Sequence, residues 1–145
     1  MNQELERLAI LQQLGKTYRA WMSAFETEVG HCLPRWRILT QLRELSKPCA
    51  QKKLVERLGI DPGSLSRLLG ALENQGLVSR SPSRKDNRYI DVVLTPSGQR
   101  EVERCTPLRD HFIAKALDGI EDRDLLTFKS MLVVLEYGFS GSSLK

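Results

Sequence analysis

Two short amphipathic segments, Ala50 to Leu58 and Pro62 to about Gln75, are separated only by Gly59, Ile60 and Asp61, and this joint constrains the fold more than any other feature of the chain. Gly59 can take the left-handed backbone that ends a helix. Asp61 can accept hydrogen bonds from the free amides that open the next helix, and Pro62 suits its first turn. Leu54, Val55 and Leu58 give the first segment its apolar side. Leu65, Leu68, Leu69 and Leu72 stripe the second, which leaves Ser64, Ser66, Arg67, Gly70 and Ala71 toward other faces until Gly76 closes it.

The flanking sequence supplies more helix and one hairpin. Leu8, Leu11, Leu14, Tyr18, Trp21, Phe25 and Val29 recur at steps of three and four, which predicts a helix from near residue 5 to near 29, stopped by Gly30. Pro34 opens a second helix carrying Ile38, Leu39, Leu42 and Leu45, and Ser46-Lys47-Pro48 breaks it. Past Gly76, Leu77 to Arg80 reads as a strand, Ser81 to Asn87 as a polar tip, and Tyr89 to Leu94 as a returning strand with Ile90, Val92 and Leu94 on one side. Thr95-Pro96 opens a helix to about Leu117, in which Pro107 predicts a kink or break near residues 103–107. A last helix, Asp122 to Tyr137, carries a seam of Leu125, Phe128, Leu132 and Leu135; Gly138 is expected to end it and Ser140 to Lys145 to fray.

Several function classes are excluded at this level. A hydrophobic fraction of 41% with 28% charged residues belongs to a folded chain, and 145 residues suit one compact domain without a large catalytic scaffold. No stretch reaches the apolar length of a membrane-spanning helix, and residues 1–7 lack a basic and then apolar leader, so a cytoplasmic location is expected. Cys32, Cys49 and Cys105 are odd in number and far apart, which reads as reduced thiols. With no glycine-rich phosphate loop, no nucleophile elbow and two histidines, the chain is not expected to be an enzyme. His31 beside Cys32 lacks a second close pair of ligands, so neither a metal nor a cofactor is predicted.

Charge placement points to a polyanion partner. Between Pro34 and Ile90 twelve basic side chains face five acids, a balance of +7, while the whole chain carries +4, so the remainder carries −3. Helix, helix, tight joint, helix and basic hairpin is the order of a winged helix-turn-helix, a mainly α fold with a small β-hairpin wing. The second helix of the pair fits a major groove, where Ser64, Ser66 and Arg67 approach base edges first. The hairpin tip offers Arg84, Lys85 and Arg88 to the adjacent minor groove, with Asp86 orienting Arg88 or a neighbouring basic side chain. The competing readings are a merely solubilising charged turn and a winged helix that binds only protein; basic residues on both groove-facing elements, Arg67 and Arg88, argue against the second.

The stretch Leu33 to Leu39, the run Leu54 to Ile60, the run Ser64 to Arg80, then Asp86-Asn87-Arg88 and Val93 to Gly98 resemble the MarR family of bacterial regulators. The match is specific from Pro34 to Gly98, and helix pattern and length agree outside it. One departure is Cys49-Ala50 where the family often has Ser or Thr, which leaves the cap of the first helix of the pair weak or supplied by Ser46; the tip is also poorer in acid and arginine than in many relatives. The resemblance implies a single domain over 1–145, with 34–98 as the DNA-binding winged unit and 1–33 and 99–145 as helices that intertwine in a homodimer. It further implies a palindromic operator in double-stranded DNA, repression, and release by a small aromatic or phenolic effector. The family's effector site lies between the dimerisation helices and the winged unit, which makes Arg19, His31, Trp36 and His111 the candidates. A rival mode of control is oxidation of a thiol, for which Cys32, between His31 and Arg35, is the candidate.

Overall fold

The computed structural model describes residues 2–143. Its elements run α1 (Gln3–Val29), α2 (Leu33–Leu45), β1 (Cys49–Ala50), α3 (Gln51–Leu58), α4 (Pro62–Asn74), β2 (Val78–Pro82), β3 (Ile90–Leu94), α5 (Pro96–Ala116) and α6 (Asp122–Ser143). The fold is a mostly helical winged helix with a small antiparallel sheet of order β1-β3-β2. No described helix is long and apolar enough to cross a membrane. Contacts divide the chain into two units, Met1–Phe112 and Ile113–Lys145.

The first unit owns the core. Ile38 and Leu39 of α2, Leu54 of α3, Leu65, Leu69 and Leu72 of α4, Val92 of β3 and Val102 and Cys105 of α5 are all sealed from solvent. Each large aliphatic side chain buried in this way contributes about 1.5–3 kcal/mol, so the helical pair is held mainly by its leucine stripes. Arg37 adds a polar tie, donating from Nη2 to the Leu58 carbonyl at the end of α3 (3.0 Å). Gly59 follows at φ 62, the left-handed turn that the joint requires. Asp61 caps α4 by accepting from the Ser64 amide (3.0 Å), with Pro62 in the first turn.

Several boundaries differ from expectation. Cys49 and Ala50 open no helix; they form β1, pairing Cys49 with Val92 and Ala50 with Asp91. Ser46 does not cap α3: it sits at the end of α2 with φ 53, its hydroxyl donating to the Arg43 carbonyl, and the cap position Ala50 makes no side-chain bond. The first hairpin strand begins at Val78 and runs to Pro82, so the loop spans 83–89. Ile90, expected on the covered side with Val92 and Leu94, is 46% exposed at the end of β3, where it pairs with Pro82 of β2 and β1 no longer reaches.

The base of the hairpin is locked to α5. The Thr95 amide donates to the Leu77 carbonyl (3.1 Å), its hydroxyl donates to the Gly76 carbonyl (2.6 Å), and the same oxygen accepts from the Gly98 amide (3.0 Å). Gly98 is there because nothing larger fits: a Cβ at this position would lie 2.1 Å from the Leu77 carbonyl oxygen. α5 then continues past Pro107 as one helix, so of the expected kink or break the break does not occur. The hydrogen bond lost to proline is the one to Glu103, an exposed residue whose carbonyl water can serve.

In the second unit Gly119 turns the chain at φ 85 and α6 begins at Asp122. It does not stop at Gly138 but runs to Ser143, since a glycine inside a helix costs only about 1 kcal/mol and no following proline enforces a stop. The fraying expected from Ser140 is therefore not found as far as Ser143, and Leu144 and Lys145 lie outside the described residues. Every large apolar side chain that is exposed among the described residues, Tyr89 and Ile90 apart, lies on α1 or between Leu108 and Phe139.

Candidate nucleic-acid interface

The leading turn of α4 is built to present polar groups. Its apolar stripe faces the core, so Ser66 and Arg67 are exposed and Ser64 is half-buried at the capped end. Arg67 donates from Nη2 to the Ser64 hydroxyl (3.1 Å), which extends its guanidinium along the same face. Pro62 has no amide hydrogen and the Ser64 and Leu65 amides are taken by Asp61, so what this end offers to phosphate oxygens and base acceptors is the positive end of the helix dipole with the Ser66 and Arg67 side chains.

Arg80, which sequence reasoning passed over, joins α4 to the wing. Its backbone amide donates to Glu73 Oε2 (3.1 Å), its guanidinium pairs with Glu73 Oε1 (3.2 Å), and Nη1 reaches the Ser66 hydroxyl at 3.5 Å. The pair therefore sets the angle at which β2 leaves the helix, with a cation beside Ser66. Only the basic character of Arg80 was visible in sequence; its partner lies seven residues earlier on a different element.

At the far end of the hairpin, Ser83 N donates to the Tyr89 carbonyl (2.9 Å) and the Ser83 hydroxyl accepts from the Lys85 amide (3.3 Å), which closes the loop. Asp86 accepts from the Arg88 backbone amide (3.1 Å) and from its guanidinium through Nε (3.0 Å) and Nη2 (2.7 Å). The guanidinium holds the Asp86 carboxyl below its usual range, and the carboxylate raises Arg88 in return. Arg88 remains 83% exposed although fixed, with its guanidinium 6.0 Å from the centre of the Tyr89 ring. Arg84 and Lys85 are exposed beside it. Behind the hairpin, a cleft of about 1100 Å³ is lined by Lys47, Lys53, Arg57, Arg84 and Lys85 with only Asp86 and Asp91 in opposition, so this side of the wing is strongly basic.

The four residues predicted for an effector are not joined by any hydrogen bond, ion pair or ring contact among the described residues. Arg19 and His111 are exposed. Trp36 is buried against Phe25, which meets Phe112 edge-on at 5.5 Å, and Arg109 lies 5.8 Å from the centre of the Trp36 ring. His31 is buried with Nε2 3.0 Å from Glu101 Oε1. That carboxylate is held down to about 2, first by Arg104, against the opposing effect of burial. Cys32 is half-buried at the start of α2. Cys49 is raised by burial, and Cys105 is pushed up to about 11 by burial and by Glu101, so both stay protonated thiols.

Comparison with known proteins agrees with this geometry. A family model described as MarR family matches residues 33–90. An uncharacterized HTH-type transcriptional regulator of Bacillus subtilis (strain 168), YdgJ, is 31% identical over 123 residues, covering 83% of this chain and 74% of that protein. Among solved structures, a mutant MarR from E. coli complexed with operator DNA superimposes with a TM-score of 0.82 at 19% identity, over 93% of this chain and 99% of that one. Bordetella bronchiseptica BpsR, described with regulation of its DNA binding by 6-hydroxynicotinic acid, gives a TM-score of 0.76 at 19% identity, over 88% of this chain and 98% of that one.

Proposed function

Because the chain belongs to the MarR family and is a transcriptional regulator with a DNA-binding fold, not an enzyme, we propose that it works in the cytoplasm as a homodimer that binds a palindromic operator in double-stranded DNA and represses transcription. The observation that carries this reading is the pairing of two groove-facing elements on one unit. The Asp61-capped turn of α4 offers Ser64, Ser66 and Arg67, and the hairpin holds Arg88 on Asp86 with Arg84 and Lys85 beside it. Arg67 addresses a base edge in the major groove, and Arg88 enters the neighbouring minor groove.

The dimer supplies the second half-site. Residues 34–98 are the reading unit; 1–33 and 99–145 are the pairing helices, and the apolar side chains left uncovered on α1 and on α6 are what a second copy covers. Two weak half-site contacts then act as one strong one. Release comes from a small aromatic or phenolic effector, the chemistry by which the similar BpsR is described as regulated. Arg19 and His111 are the exposed candidates for its anionic group and Trp36 for its ring, whereas His31 is already engaged by Glu101.

The test is fluorescence anisotropy with the intergenic DNA flanking the chain's own gene, at low and rising salt, beside sedimentation of the free protein. A dimer that binds one fragment far more tightly than random duplex is expected. A stable monomer, or equal affinity for every duplex, overturns the proposal. An aromatic-acid screen read as loss of the anisotropy signal tests the effector.

A further inference from the structure

In the first turns of α5, beyond the wing in sequence, Glu101 Oε1 is the meeting point of three side chains. His31 Nε2 is 3.0 Å from it, the Cys105 thiol donates to it across 3.3 Å, and the Arg104 guanidinium closes from outside. Glu101 and Cys105 stand one turn apart on the same face of α5, and His31 comes from the turn between α1 and α2, seventy residues away in sequence. His31 and Cys105 are buried, Glu101 is 21% exposed, and Arg104 is 59% exposed. The ring nitrogen, carboxylate oxygen and sulfur all lie within 4.8 Å of one another.

We propose that His31, Glu101 and Cys105 form a binding site for a divalent transition-metal ion of the zinc type. One nitrogen, one oxygen and one sulfur make a borderline-soft donor set that favours zinc over magnesium or calcium. Metal–ligand bonds of about 2.0–2.3 Å around a tetrahedral centre place ligand atoms about 3.3–3.6 Å apart, so only small shifts convert the present cluster into a coordination shell. His31 Nδ1 is buried with no hydrogen-bond partner, so it is free to take the ring proton when Nε2 exchanges its hydrogen bond to Glu101 for a bond to an ion.

The charges also balance. At present Arg104 neutralises the carboxylate, and the thiol keeps its proton because burial and Glu101 disfavour a thiolate. A dication among the three reverses that preference: the thiol proton passes to solvent as the sulfur–metal bond forms, the ring proton that His31 Nε2 gives to Glu101 shifts to Nδ1 so that Nε2 offers its lone pair, and Arg104, already mostly in water, swings away. Three protein ligands leave the fourth position to water entering beside Glu101. The ion would tie the α1–α2 turn to the helix that follows the wing, a link independent of any DNA contact.

The test is a Co²⁺ titration of the full chain after chelator treatment and desalting, without DNA. One equivalent per chain is expected to bring up a near-ultraviolet thiolate-to-cobalt charge-transfer band with intense visible bands of tetrahedral cobalt, both removed by stoichiometric Zn²⁺. Cys105→Ser should abolish the charge-transfer band, Cys32→Ser should keep it, and His31→Gln or Glu101→Gln should weaken binding at least tenfold. Circular dichroism establishes that each variant is folded, and Glu101→Gln decides the matter if Cys105→Ser is not. Only the weak bands of hydrated cobalt, or a charge-transfer band lost in Cys32→Ser and kept in Cys105→Ser, overturns the site. Neither result bears on the DNA-binding reading.

Discussion

Arg67 and Arg88 are fixed by different means, and the difference sets what each substitution does. Arg67 leans on a neutral hydroxyl, Ser64, so replacing it with alanine removes the group proposed to read a base edge and little else. Arg67→Ala is expected to cost about 1–3 kcal/mol on the specific operator and to relax discrimination at one base position, as read by titration against a set of single-base variants. Uniform weakening across that set would reassign the residue to phosphate. Arg88 is clamped by a carboxylate that itself repels DNA. Arg88→Ala should flatten the salt dependence by about one unit of slope. Asp86→Asn should do the opposite to selectivity, raising affinity for random duplex while narrowing the gap to the operator, because Arg88 is then no longer aimed. If both affinities rise in parallel, Asp86 is only an electrostatic penalty. What was legible at this scale was local: the Gly59-Ile60-Asp61-Pro62 joint and the Asp86–Arg88 pair involve neighbours whose chemistry the chain order exposes. Glu73 with Arg80, and His31 with Glu101 and Cys105, come together only through tertiary packing, so no spacing rule announces them.

At the scale of elements, the helices with strong apolar periodicity were readable, and the errors fall where one residue was given more authority than its surroundings allow. Pro107 and Gly138 do not end α5 and α6, because a long helix absorbs the loss of one hydrogen bond or the extra backbone freedom of one glycine. Cys49 and Ala50 form a strand because β3 offers an open edge there, a fact of the partner and not of the dipeptide. The most exacting junction joins wing and helix at Gly98. Gly98→Ala is expected to destabilise the fold by about 1–3 kcal/mol in urea denaturation, since the Leu77 carbonyl oxygen occupies the space a methyl group needs. An unchanged midpoint would mean that the turn from Thr95 into α5 relaxes freely.

For the molecule as a whole, the distribution of uncovered apolar side chains gives the proposed dimer its test. Val134, 72% exposed on α6, and Leu8, 50% exposed on α1, lie far from the leading turn of α4 in sequence. Leu8→Asp and Val134→Asp are each expected to shift sedimentation from dimer toward monomer and to weaken operator binding, with the circular dichroism spectrum retained. A variant that stays dimeric removes its helix from the pairing surface. The abutment of Gly98 on Leu77 also bears on how signals travel. With the hairpin's root pressed directly on a helix backbone, little slack is left between the two, so a tilt of α5 is expected to carry the Leu77 end of the wing with it.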